Sequence, residues 1–477
     1  MQGYNTYQPR LFSYVDIETL IPPNHILRKI DRVFDLSFVR RLTEPYYCSN
    51  NGRPSIDPEL FFRMVLIGYI FGIGHDRRLC DEITYNLAYR WYCRLNLEDS
   101  VPDHSTLSKI RDRYGEEVFE SVFSMVVEIC RKHGLVKGER IITDSTLIEA
   151  DASVDSMVPR DPDLTDEENT SGYREDITAP LPSKKISNKT HVSSTDPDSS
   201  LAQKAGTPRT LKYKVHTSLD ADSRVIIDNK VTTGGCHDST IYLGRLEHIK
   251  KKYAIPLKEA VGDRGYGTTE NLKVLNGKGI KTYIPLFSTR SGQNDAKVAE
   301  LGFIYDKGHD RYECPAGKYL EPCHINERAI IYRAKSQACK ACHLKVMCPI
   351  KNRKRGMARC IFRSLNQDFY EEQMQRMKEP AFQDALRERM WKIEGINAEA
   401  KNLHGLKRAR YRSLVKVQIQ AYMVAVTQNL KRLANLFFGT FLLNIGRILN
   451  ILAKFKLQDV FLYNSGKNLK LTYKIAS

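Results

Sequence analysis

The apolar pattern of this chain is helical from about Phe12 to Gly134 and turns strand-like at Arg140-Ile-Ile-Thr-Asp144-Ser-Thr-Leu-Ile. β-Branched residues running straight into an acid read as a buried strand with an aspartate on it or at its end. A carboxylate in that setting is costly unless something positive compensates it, and a divalent metal is a common solution. The plain structural alternative is a strand-end aspartate capping a turn. Partner acids in similar settings decide between the two, and the chain offers them at Asp263 and Glu394.

The helical region opens with the amphipathic segment from Ile26 to Phe34. Asp57-Pro58-Glu59 then reads as a helix start, with Asp as N-cap, Pro at the first helical position and an acid in the first turn. The residues that follow, Leu60 to Phe71, are apolar almost all round, as a central helix would be. A shorter helix is expected over Leu79–Trp91. Next, Pro102-Asp103-His104-Ser105-Thr106-Leu107 caps a helix that carries Lys109, Arg111 and Arg113 on its exposed faces. This fits the second helix of a helix-turn-helix unit in contact with DNA. The alternative is a surface helix whose basic residues are merely solvated.

Residues 152–210 are dominated by Asp, Ser, Thr, Pro and Lys, which suits a mobile polar insertion with no core of its own, ordered against the neighbouring fold only near its end, at His191–Asp198. Strands resume at Leu211–Thr217 and Arg224–Val231, joined by an Asp220-Ala-Asp-Ser turn, as an antiparallel hairpin. A helix from Ser239 to about Lys251 follows the pair His237-Asp238. Asp263 then closes a short strand in Gly262-Asp263-Arg264-Gly265-Tyr266-Gly267. Beyond it, a helix over Thr268–Asn276 and a strand at Lys281–Pro285 complete the alternation of a mixed sheet flanked by helices.

A cysteine-rich stretch interrupts this pattern. Cys314, the Cys339-Lys-Ala-Cys342 knuckle and Cys348 supply four thiolates, enough for one tetrahedral structural Zn²⁺. Cys323, His324 and His343 are spare candidates, and scattered free thiols are the alternative. The basic run Lys351-Asn-Arg-Lys-Arg355 follows. A long helical region is expected over about Phe369–Gly405, where three- and four-residue spacing puts Glu394, Asn397 and Lys401 along one face. After it come Lys407, Arg408, Arg410 and Arg412, then a helix from Val415 to about Leu436.

With 74 Lys and Arg against 56 Asp and Glu, the formal net charge is +18, which favours a polyanionic partner. No signal peptide is visible in the polar N-terminal residues. The apolar run Phe437–Leu452 is short and broken by Asn444, Arg447 and Asn450, so no membrane segment is expected. Cutting and joining a phosphodiester needs an activated oxygen nucleophile and a stabilised leaving oxygen, and paired divalent cations supply both. Mg²⁺ prefers hard oxygen ligands and keeps several waters, so Asp144, Asp263 and Glu394 are ligands of the appropriate kind. Lys401, two turns from Glu394, could hold a phosphate as a point charge.

Taken together, Ile56-Asp-Pro-Glu-Leu, Asp81-Glu-Ile, Pro102-Asp-His-Ser-Thr-Leu, Thr143-Asp144-Ser-Thr, Gly262-Asp263-Arg264-Gly265-Tyr266 and Glu394 with Lys401 resemble a bacterial insertion-sequence transposase of the DDE class. The resemblance covers roughly residues 10–435. It implies an α/β fold: an RNase H-like mixed sheet with flanking helices, preceded by an all-helical N-terminal domain and interrupted by a small cysteine-rich zinc-binding insertion. The implied layout is a DNA-binding domain over 1–135, a catalytic domain over 136–435 with insertions at 152–210 and 310–365, and a tail of unassigned role over 436–477. Asp144, Asp263 and Glu394 would bind Mg²⁺ or Mn²⁺, and the implied activity is cutting at terminal inverted repeats followed by strand transfer. Expected partners are double-stranded DNA, touched also by Arg389, Lys407 and Arg408, and a second copy of the chain as a homodimer on DNA. The expected location is the cytoplasm, with the nucleoid.

The chain departs from the family's Tyr–Arg–Glu–Lys pattern in the last helix. Met390 stands at the usual Arg position, with Arg389 adjacent, and Tyr370 is too distant to be the expected Tyr. His237-Asp238 matches a common pair of this branch, in a catalytic or a structural role. Two other readings stand beside the active enzyme. One is a catalytically silent, domesticated DNA-binding relative. The other is a hydrolase with the Cys/His cluster as its centre, which a closed four-sulfur site argues against.

Overall fold

The computed structural model of the chain describes residues 16–48, 55–160, 186–204, 206–287, 298–346, 348 and 360–437. Its residues fall into two compact units. Among the described residues, one comprises those up to Leu135 with Leu403–Gly405 and 422–437; the other comprises those of Val136–Asn402 with Leu406–Ala421. The sequence reading carried the catalytic region to residue 435, whereas 422–437 group with the N-terminal helices.

The first unit is helical, with helices Ile26–Val33, Phe38–Thr43, Pro58–Ile70, Asp76–Tyr85, Leu87–Tyr92 and His104–Lys132. The Pro58 helix starts as its sequence dictates: Asp57 accepts from the Glu59 amide and Pro58 occupies the first turn. Every residue from Phe61 to Ile70 is buried, so this helix is the centre of the unit. Its one buried charge, Arg63, is paired with Asp31 at 2.8 Å and Glu59 at 2.9 Å, as a desolvated guanidinium must be. Phe61, Phe62, Tyr114 and Phe119 pack edge-on and stacked beside it.

The His104–Lys132 helix is broken at Gly115, whose φ of 60° and ψ of −166° are non-helical and suit a residue without Cβ. One expectation about this helix is corrected. Arg111 is buried, not exposed, and its guanidinium binds Asp76 at 2.9 Å. Lys109 and Arg113 are exposed.

The second unit is built on a six-stranded mixed sheet of β1 (Arg140–Glu149), β4 (Ser200–Ala202), β5 (Thr210–Asp220), β6 (Ile226–Thr233), β7 (Glu259–Val261) and β8 (Lys281–Tyr283). The order is β4-β5-β1-β7-β8, with β6 also paired to β5. β5 runs antiparallel to β1 and β6, while β7 is parallel to β1 and β8 parallel to β7. Helices Asp238–Tyr253 and Thr269–Gly277 make the crossovers to β7 and β8. Those parallel strands are short, and Ala260, Val261 and Tyr283 are buried, as strands covered on both faces are.

The polar insertion is more ordered than its composition suggests. β2 (Met157–Pro159) and β3 (His191–Ser193) form a two-stranded sheet, and β4 joins the main sheet beside β5. Asp196 helps to dock the region: fully buried, it accepts from the Tyr213 hydroxyl at 2.6 Å and the Ser413 amide at 3.2 Å. Residues 161–185 lie outside the described residues, as do the basic run Lys351–Arg355 and the tail beyond 437.

The cysteine-rich insertion is a five-stranded antiparallel sheet of β9 (Ile304–Asp306), β10 (Arg311–Glu313), β11 (Tyr319–Ile325), β12 (Ala329–Ala334) and β13 (Cys360–Ser364). It begins before residue 310, because β9 pairs with β10. The helical region expected beyond it consists of two helices, Gln367–Arg376 and Pro380–Leu403. Among the described residues no helix is long and apolar enough to cross a membrane.

Candidate active site

The parallel register of β1 and β7 builds the site. Ile142 pairs with Val261, so Asp263, two residues past that pair and just beyond the end of β7, comes near Asp144, which stays within β1 opposite Thr217 of β5. The Asp144 side chain is only 17% exposed. Burial pushes its carboxyl up to about 6, opposed by the Arg389 guanidinium and reinforced by the charges of Asp263 and Asp238. Asp263 is raised by the same desolvation, again against Arg389, while it caps the turn Arg264–Tyr266 by accepting from the Gly265 amide at 2.8 Å. Two acids held this way retain their protons more tightly than ordinary carboxylates and gain from a cation that can replace them.

Arg389 reaches this pair from the helix Pro380–Leu403, its Nη1 3.4 Å from Asp144 Oδ1. A polar clamp sets that helix. Arg140, at the start of β1, binds Glu259 of β7 and, at 3.0 Å, Glu388 of the helix. Lys392 binds Glu388 and donates to the Ala221 carbonyl. Arg389 was read as a DNA contact; the structure places it against the first acid.

Asp238 is the neighbour that the sequence reading did not rank among the acids. It stands at the first position of the helix after β6, with Lys214 Nζ 3.0 Å and His216 Nδ1 3.7 Å from its Oδ1. Lys214 and His216 project from β5, and burial holds the His216 imidazole down to about 4. The signal that could have found them was the alternation Lys212, Lys214, His216 along a strand adjacent to Asp144.

Glu394 and Lys401 share a face of the Pro380 helix. Glu394 is exposed, and Lys401 donates from Nζ to the Leu147 carbonyl of β1 at 2.9 Å. Burial and the nearby Lys204 and Lys212 lower the Lys401 pKa. Among the described residues no three His, Cys, Asp or Glu side chains stand close enough to hold one metal ion, so Glu394 is not gathered with the two aspartates. Lys407 and Arg408 are exposed, Arg408 paired with Asp151 at 3.0 Å.

In the insertion, no three of the four expected thiols, all among the described residues, stand close enough to hold one ion, although all four border the same space. Cys314, Cys339, Cys342 and Cys348 line one cavity of about 40 Å³, with Phe303 and Leu320 of the small core behind them. Gly317, with φ of +66°, tightens the turn after Cys314 so that its amide donates to the Cys314 carbonyl.

The fold and site define a mixed α/β protein with an acid-lined centre where β7 ends beside the middle of β1. Residues 15–113 match the family model of a transposase domain (DUF772), and residues 313–434 match that of a transposase DDE domain. Two separate segments of the chain are thus similar to transposase domains, the second of them of the DDE class. The second match contains Glu394 and Lys401; Asp144 and Asp263 lie between the two matched segments. No curated protein matches the chain.

Among solved structures, a piggyBac transposase synaptic complex with hairpin DNA is similar at 10% identity, over 85% of this chain and 73% of that one, with a TM-score of 0.32. A Mos1 transposase paired-end complex with the left transposon end is similar at 9% identity, over 51% and 65%, with a TM-score of 0.16. A Mos1 mariner paired-end complex with Mn is similar at 11% identity, over 55% and 73%, with a TM-score of 0.16.

Proposed function

We propose that this protein is an active insertion-sequence transposase that binds the terminal inverted repeats of its element, cleaves their ends and joins them to target DNA. The observation that carries the reading is the closeness of Asp144, in the middle of β1, to Asp263, just past the end of the adjacent parallel strand β7, in a chain that matches a transposase DDE domain. The order of three antiparallel strands, a crossover helix and two further parallel strands supports an RNase H-like core. Glu394 joins the centre from its helix when DNA and metal are bound. Lys401 and the exposed Lys407 and Arg408 hold phosphates, and Lys109 and Arg113 contact end DNA as a homodimer engages both ends in the nucleoid.

The residues fit Mg²⁺ or Mn²⁺. Asp144, Asp263 and Asp238 stand against Arg389, Lys214 and a neutral imidazole, and Asp238 Oδ1 is buried without a hydrogen-bond partner. When bound, such ions lower the pKa of water and stabilise the leaving oxygen. The chain's own residues fix the geometry: the sheet holds the two aspartates, Arg389 orients Asp144, and the clamp through Arg140 fixes Arg389. In the insertion, Cys314, Cys339, Cys342 and Cys348 border one cavity and are the residues that would close around a structural Zn²⁺, holding the sheet edge to the helix Ser336–Lys340.

The reading is tested with linear DNA carrying the repeats that flank the reading frame. Wild-type protein with Mg²⁺ should cut at the repeat ends, and Asp263→Asn should bind the same DNA yet cut it at least ~10³-fold more slowly. Equal cutting by the variant would refute the assignment.

A further inference from the structure

We propose that Asp238 is a further metal-binding carboxylate of this centre, sharing an ion with Asp263. The inference rests on the transposase reading and adds an acid to it.

The helix that begins at Asp238 does not need this side chain as its cap, because His237 already accepts from the Ser239 amide. The Asp238 carboxylate is instead turned toward the sheet, with its side chain 18% exposed. A Cβ on Gly265 would lie 3.0 Å from Asp238 Oδ2 and 3.0 Å from Asp263 Oδ1, so the two oxygens are no further apart than twice that distance. They face the same small space, which stays open because residue 265 has no side chain.

The far oxygen, Oδ1, meets Lys214 Nζ at 3.0 Å as a charge but makes no hydrogen bond. Lys214 gives its hydrogen bond to the Cys236 carbonyl at 2.6 Å. His216, only 3% exposed, points Nδ1 at this oxygen from 3.7 Å and leaves that nitrogen unpartnered, while Nε2 is engaged by Thr232 at 2.9 Å. The wall of the site thus holds two buried polar atoms without hydrogen bonds beside two carboxylates that face each other.

A purely structural Asp238 would pair fully with Lys214 and leave no reason for its second oxygen to approach another carboxylate, since like charges at short range repel. A divalent cation between Asp238 Oδ2 and Asp263 Oδ1 removes that repulsion. Mg²⁺ is commonly held by one or two carboxylates with waters completing its shell, so two oxygens from the protein suffice. The absence of three clustered ligands among the described residues is compatible with a two-carboxylate seat.

The experiment is a Mn²⁺ titration of the full chain, without DNA, followed by the electron paramagnetic resonance signal of free Mn²⁺. Four proteins are compared: wild type, Asp263→Asn, Asp238→Asn and Gly265→Ala. The φ of Gly265 is not left-handed, so alanine keeps the backbone and only fills the gap between the carboxylates. Asp238→Asn and Gly265→Ala should each weaken Mn²⁺ binding at least ~10-fold, as Asp263→Asn does, with melting temperatures near wild type. Wild-type binding in both variants, with loss in Asp263→Asn, would overturn the role of Asp238 and leave the transposase reading standing. Unchanged binding in Asp263→Asn would overturn both. Should Asp238→Asn fail to fold, Gly265→Ala alone decides.

Discussion

Arg389 Nη1 lies 3.4 Å from Asp144 Oδ1, joining a helix late in the chain to the first strand of the sheet. The pair is unequal: burial pushes the Asp144 carboxyl up to about 6 from 3.8 despite the guanidinium. In the metal-free protein this sets a sign. A proton is held more tightly in the folded state, so the associated stability is full below the unfolded pKa of 3.8 and is lost as pH rises through about 6. Asp144→Asn should therefore stabilise the metal-free protein at pH near 7.5, by up to about 3 kcal/mol, and change little at pH near 3.5. Thermal melts at both pH values check this. A variant that melts below wild type at the higher pH would contradict the buried, strained carboxylate.

The buried Arg111–Asp76 pair divides the basic residues of its helix by role. Arg111→Ala should cost about 3 kcal/mol, because it leaves Asp76 without its charge partner. Lys109→Ala and Arg113→Ala should cost less than about 0.5 kcal/mol and weaken DNA binding instead, each lowering the salt slope by about one. Urea melts and DNA titrations at several salt concentrations separate the two effects. A weakened slope without destabilisation in Arg111→Ala would contradict the burial.

Lys401 donates to the Leu147 carbonyl, with Lys204 and Lys212 near enough to lower its pKa. Lys401→Met should lose about 1 kcal/mol of stability and slow end cleavage by roughly 100-fold, and Lys401→Arg should recover much of the stability but not the rate. Cleavage assays beside thermal melts distinguish the roles; a variant that cuts at the wild-type rate would assign Lys401 to the fold alone.

Cys339→Ser should lower the zinc content of purified protein by more than half and destabilise the insertion, since a structural zinc contributes folding energy directly. Elemental analysis with limited proteolysis reads both. Zinc at the wild-type level would contradict the four-thiol site.

Local chemistry in the sequence carried the elements further than their arrangement. Asp57-Pro58 starts a helix because cap and ring geometry act over a few residues, and Ile141-Ile142 form a strand because β-branched side chains fit a pleated, buried surface. The adjacency of Asp144 and Asp263 depends on a parallel register that no local pattern encodes. Arg389 and Arg111 looked like phosphate contacts for the same reason: their carboxylate partners are distant in sequence, so an outward-facing basic residue and a paired one are indistinguishable until the chain folds. Residues 191–204 are held by the buried carboxylate of Asp196, by Asp198 and by strand pairing with β2 and β5, in a stretch whose average composition is that of a loop. Asp238 was visible only as part of a His-Asp pair, because its relation to Asp263 runs through the gap at Gly265.

The central claim is that Asp144, Asp263 and Glu394 hold metal against the phosphate being cut. It is tested most directly with an end substrate carrying sulfur in place of a non-bridging oxygen at the scissile phosphate. The account predicts cleavage slowed at least ~10-fold in Mg²⁺ and restored in Mn²⁺, which accepts sulfur more readily, with no rescue in Glu394→Gln. Equal rates with oxygen and sulfur in Mg²⁺, or full cleavage by Glu394→Gln, would contradict it.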